Sequence, residues 1–153
     1  MKIIDIIEEN KILLNYHFIS KKRLFETIAE MLGGNPHEAM SIYHGLVERE
    51  KLGNTSLGNG VAVPHGKCED IEEIKACVIK MSQGADYESI DDVPVNVVIG
   101  IAFPEKIHLS HRTLMKDTAH LFRQHRLYKK MILAENREQL MAEIMNGFQL
   151  CNS

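Results

Sequence analysis

The chain has 153 residues, 44% of them hydrophobic, and a net charge of −3 at pH 7. That is enough for one domain with a buried core, without the basic field that draws nucleic acid. No run reaches the ~20 consecutive apolar residues of a membrane span, and the opening MKIIDIIEENKILL, broken by Asp5, Glu8 and Glu9, lacks the pattern of a secretory signal. Three cysteines, Cys68, Cys77 and Cys151, share no CxxC spacing. They exclude a disulfide framework or structural zinc and fit a reducing cytoplasm.

In chain order, Ser20 caps a helix whose apolar face is Leu24, Phe25, Ile28, Met31 and Leu32, stopped by Gly33-Gly34. Asn35 opens a second helix, with Pro36 at its first position and Glu38 placed for a capping box. Ala39, Met40, Tyr43, Leu46 and Val47 give that helix a buried face ending near Arg49. A glycine-rich polar stretch follows. Val61–Val63 reads as a short strand stopped by Pro64, and Lys75–Met81 as another. Val95–Phe103 is an almost unbroken β-branched run, the pattern of a central strand covered on both faces. After Pro104 come helices over about 110–124 and 126–134, then a last one capped by Asn136 with Gln139 and running to about Gly147. Helices, strands, then helices around a doubly covered strand make an α/β layered single domain.

The most unusual stretch is NTSLGNGVAVPHGK, residues 54–67. Its glycines allow close backbone approach and an anion-binding nest of N–H groups. Pro64 restricts Val63 to extended geometry and so holds His65 at a strand end. A neutral imidazole beside free donors is a nucleophile next to a place for a phosphoryl group. The bland alternative is a turn with an incidental histidine. Neither G-x-x-x-x-G-K-[ST] nor G-x-G-x-x-G is present, so no nucleotide loop is supported.

The longer run REKLGNTSLGNGVAVPHGK, residues 49–67, resembles the active-site signature of phosphotransferase-system enzyme IIA domains of the fructose/mannitol type, and most of all their nitrogen-regulatory branch. SKKRLFETIAEML, PVNVVIGIAFPE and HRTLMKDTAHLF extend the resemblance over nearly the whole chain, 1–153. It implies a mixed sheet of about five strands with helices on both faces. It implies a phosphohistidine carrier that takes its phosphoryl group from an HPr-like phosphocarrier onto Nε2 of His65 and regulates protein partners by phosphorylation state. The alternative is a IIA component that hands the group to a separate IIB of a sugar transporter. With no transporter segment in these residues, the regulatory branch is favoured. No cofactor and no metal are implied.

The resemblance also assigns supporting roles. Arg49 matches the signature arginine, a planar cation suited to phosphoryl oxygens; on local physics alone it is a helix C-terminal arginine favoured by the macrodipole. His111 matches the second histidine and would hydrogen-bond the phosphoryl group. Arg112 follows it, where the family usually has an apolar residue. His108 and His111 are three apart, but nothing completes a metal set. Thr55 and Ser56 offer hydroxyls and Gly58 and Gly60 offer backbone N–H groups to a phosphoryl group; loop hydrogen bonding explains the hydroxyls equally well.

Overall fold

A computed structural model describes residues 1–106 and 109–152. After two short 3-10 turns the chain forms β1 (Ile12–Tyr16), α1 (Lys21–Leu32), α2 (Pro36–Leu52), β2 (Ser56–Gly58), β3 (Val61–Ala62) and β4 (His65–Cys68). Then come β5 (Lys75–Ala85), β6 (Val95–Pro104), α3 (Leu109–Phe122), α4 (His125–Leu133) and α5 (Arg137–Cys151). Three caps start helices as their sequences dictate. Ser20 Oγ accepts from the Arg23 N–H at 3.1 Å, Asn35 Oδ1 from Glu38 at 2.9 Å, and Asn136 Oδ1 from Gln139 at 2.8 Å. The reciprocal bonds land one residue early: Glu38 takes the Gly34 N–H and Gln139 the Glu135 N–H.

The sheet is mixed, ordered β1-β5-β6-β3-β2, with β4 also paired to β6. β3 and β4 both run parallel to β6, meeting it at Val97–Val98 and at Ile101–Pro104. Between them Val63 and Pro64 interrupt the strand, since proline has no N–H to contribute, although the Pro64 carbonyl still accepts from Ile101 N. That break divides one strand into β3 and β4 and gives six strands where about five were expected.

β6 shows why its sequence is apolar throughout. Val97, Ile99, Ile101 and Phe103 pack with Leu114, Phe122, Leu127 and Ile144 of α3–α5. Val98 and Ala102 point the other way, into a cluster with Leu24, Ile28, Ile42 and Leu46 of α1 and α2. Period-2 alternation thus feeds two cores, one on each sheet face. One expectation on α2 fails. Met40 is 58% exposed, and Ile42, which is fully buried, takes the inward position with Leu46. Tyr43 and Val47 flank that contact.

α2 crosses β4 at a point where neither element has a side chain. A Cβ added to Gly66 would lie 2.3 Å from the Gly45 carbonyl oxygen, and one on Gly45 would lie 2.5 Å from the Lys67 carbonyl oxygen. The two backbones therefore touch directly. Arg49 stands one helical turn beyond Gly45, and His65 is the residue before Gly66.

Candidate functional site

His65 opens β4 and is half-buried. Its Nδ1 lies 2.7 Å from the Val63 carbonyl oxygen. A carbonyl only accepts, so Nδ1 carries the hydrogen and Nε2 keeps the lone pair in the neutral ring. The bond exists because the strand is interrupted at Val63-Pro64. Burial, above all, holds the His65 imidazole below the usual histidine range; the Val63 bond opposes that shift, Arg49 adds to it and Glu50 opposes it.

Arg49 sits in the last turns of α2, and its Nη1 donates to the Gly53 carbonyl at 2.8 Å. It therefore caps its helix and also lines a cleft with His65. The neighbouring Glu50 organises the loop that follows. Its carboxylate accepts from Thr55 N at 3.1 Å and Thr55 Oγ1 at 2.6 Å, and pairs with Lys21 at 3.0 Å. Tyr87 completes the cluster. Its hydroxyl lies 2.7 Å from Thr55 Oγ1 and donates to Glu50, while the Lys21 ammonium stands 4.3 Å above its ring. Burial first, then the Glu50 charge, pushes the Tyr87 phenol far up, so it stays a donor.

His111, in the first turn of α3, is buried with its ring 4.8 Å from that of Phe103 on β6. His65, Arg49 and His111 share one cleft of about 660 Å³, together with Glu48, Leu52, Lys67, Arg112 and Met115. Lys67 is two residues beyond His65 on β4, so the pleat puts both on one side. The three residues singled out from the sequence thus converge, although they come from a helix end, a strand start and a helix start. His108 lies outside the described residues. Among the described residues no group of three or more His, Cys, Asp or Glu is placed to hold a metal ion.

Four residues expected at the phosphoryl group stand apart from this cleft. Thr55, Ser56, Gly58 and Gly60 do not line this cleft. The Thr55 hydroxyl is committed to Glu50 and Tyr87, and Ser56 Oγ accepts from Ile90 N at 3.0 Å. Gly58, Asn59 and Gly60 all take positive φ, at 88°, 55° and 90°, to turn the chain between β2 and β3. The Asn59 N–H is met by the Asp91 carboxylate at 2.7 Å. The glycines serve the turn, and a side chain of the protein already supplies the anion there. Arg112, which the sequence offered as a second positive charge near the site, lines the cleft; Lys67 and the Glu50 cluster were not singled out, the cluster because Lys21 and Tyr87 are far from Glu50 in sequence.

Residues 5–147 match the family described as phosphoenolpyruvate-dependent sugar phosphotransferase system, EIIA 2. A nitrogen regulatory protein of Bradyrhizobium diazoefficiens is 33% identical over 135 residues, covering 86% of each chain. The nitrogen regulatory protein IIA-Ntr of Neisseria meningitidis has a similar structure, with a TM-score of 0.86 at 27% identity, over 93% of this chain and 98% of that one. The fold also matches the complex of enzyme IIA mannitol and phosphorylated enzyme IIB mannitol from Escherichia coli, with a TM-score of 0.74 at 19% identity, over 92% and 99% of the chains.

Proposed function

Because this chain belongs to the EIIA 2 family of the sugar phosphotransferase system, we propose that His65 is the residue through which it carries a phosphoryl group. The chain is a phosphocarrier and regulator of that system, of the kind its relatives named nitrogen regulatory proteins represent; a sugar-transport IIA role is less favoured. The observation that carries the His65 reading is the ring geometry. Nδ1–H is held by the Val63 carbonyl, which leaves Nε2 as the nucleophile.

In this reading a phosphohistidine on a small HPr-like carrier enters the cleft. Nε2 of His65 attacks phosphorus, the P–N bond to the donor ring breaks, and its electron pair returns to that ring. His65 keeps its Nδ1 hydrogen, so no proton has to move for the Nε2–P bond to form. The Val63 carbonyl stabilises the positive charge the ring gains. Arg49 and His111 face the phosphoryl oxygens, and positioning and charge compensation supply most of the catalysis. The protein acts in the cytoplasm, and its phosphorylation state selects its partners.

The test is transfer of labelled phosphate from a phosphorylated HPr-like carrier. Wild-type protein takes up acid-labile, base-stable label, and His65→Ala takes up none while keeping its circular dichroism. Labelling of the variant at the wild-type level sinks the assignment. A pull-down comparing phosphorylated with free protein tests the regulatory half.

A further inference from the structure

We propose that Arg112 is a second guanidinium for the phosphoryl group, acting on the group itself in the cleft it lines with Arg49. This rests on His65 being the phosphoryl acceptor.

The charges of the cleft lead to it. The lining residues include three cations, Arg49, Lys67 and Arg112, and one anion, Glu48. Glu48 is already bonded to Lys51 at 3.0 Å, and Arg49 spends one nitrogen on the Gly53 carbonyl. Arg112 is exposed and forms no ion pair or side-chain hydrogen bond among the described residues. Its position opposes its own helix. It lies in the first turn of α3, which has no acidic residue there, and a cation at that end meets the positive pole of the macrodipole. His111 is its immediate neighbour. A bound dianion reverses the local balance: the helix pole, His111 and Arg112 then all face negative charge. The planar fork suits two phosphoryl oxygens at once, which the Lys67 ammonium cannot match. While the P–N bond to the donor ring breaks and the Nε2–P bond forms, charge spreads over the oxygens that Arg112 faces.

Two donors separate this role from protein docking. Phosphoramidate phosphorylates histidine without any protein surface; a phosphorylated HPr-like carrier needs one. Arg112→Gln is expected to slow labelling of His65 by about tenfold with both donors, the effect of one charge-assisted hydrogen bond at a solvent-open site. Arg112→Lys restores part of the rate. In a 31P titration of the phosphorylated protein, the second ionisation of the phosphoryl group moves up in pH in Arg112→Gln, which a purely structural role does not cause. Slowing with the protein carrier alone overturns the proposal in favour of docking. Equal rates and identical titrations for wild type and Arg112→Gln overturn it outright while leaving His65 in place. Absence of label from wild-type protein with both donors overturns the His65 reading and this one with it.

Discussion

At the scale of single residues, the pH behaviour follows from one ring. His65 is held below the usual histidine range, chiefly by burial. The unfolded chain therefore binds this proton first as pH falls. The stability that neutral His65 contributes is complete above about pH 6.5 and is lost as pH drops through the native pKa. Urea unfolding from about pH 7.5 to 5 should show wild type losing stability relative to His65→Gln toward acid. A constant difference across that range would mean the ring titrates as in the unfolded chain. Arg49 adds to the depression, behind burial. Arg49→Gln is expected to raise the His65 pKa modestly and to slow transfer, with little change in melting temperature, since among the described residues the lost side chain bonds only the Gly53 carbonyl. An imidazole titration by NMR on both proteins decides it. His111 carries two duties. His111→Ala removes ring packing against Phe103 as well as a donor, so slower transfer accompanied by a lower melting temperature is the expected pair.

At the scale of elements, the contact between α2 and β4 sets the spacing of the site. Gly66→Ala forces a methyl to within 2.3 Å of a carbonyl oxygen, where nothing flexible can yield. The two elements must separate, at about 2–3 kcal/mol, and transfer should fall with stability because Arg49 and His65 move apart. Stability close to wild type would show that the crossing can relax. The Glu50 cluster ties the same helix end to the loop before β2. Glu50→Ala leaves Thr55, Tyr87 and Lys21 without their shared acceptor, and a loss of about 2 kcal/mol in urea unfolding is expected. The elements differ in how far their own residues announce them. Ser20, Asn35 and Asn136 mark helix starts because a cap is a local bond. β6 is legible because covering both faces demands an apolar residue at every position. β1 is not: Asn15 takes a positive φ of 54°, and the register shifts between Leu13 and Tyr16, so no clean alternation is written there. β2 and β4 contain glycine and polar residues and exist through their pairing with β3 and β6. Met40 was misplaced because several helical stripes fit α2, and the close backbone crossing at Gly45 settles which one faces inward. In the site, His65 stood out through its punctuation and Arg49 and His111 through a resemblance. The turn geometry of Gly58 and Gly60 and the bonds of Thr55 depend on Asp91 and Tyr87, more than thirty residues away.

At the scale of the whole molecule, charge is unevenly distributed. The segment 112–137 holds seven Lys and Arg against two carboxylates, in a chain whose net charge is −3. The cleft itself sets three cations, Arg49, Lys67 and Arg112, against one carboxylate, Glu48, which favours the approach of a phosphorylated carrier at low salt. The thiols stand apart from this chemistry. Burial pushes Cys68 and Cys77 up to about 12, so neither is a ready thiolate near the site. The direct backbone contact between Gly45 and Gly66 also determines how the site is lost. A contact made through side chains can open by rotamer change; one made by two main chains opens only when an entire helix leaves the sheet. The site then has no private unfolding route. In native-state hydrogen exchange, the Ile101 amide, bonded to the Pro64 carbonyl at 3.0 Å beside His65, should be released only with the molecule as a whole. Its exchange free energy should equal that of global unfolding and shift one-for-one with destabilising core substitutions, whereas amides at the end of α5 exchange long before.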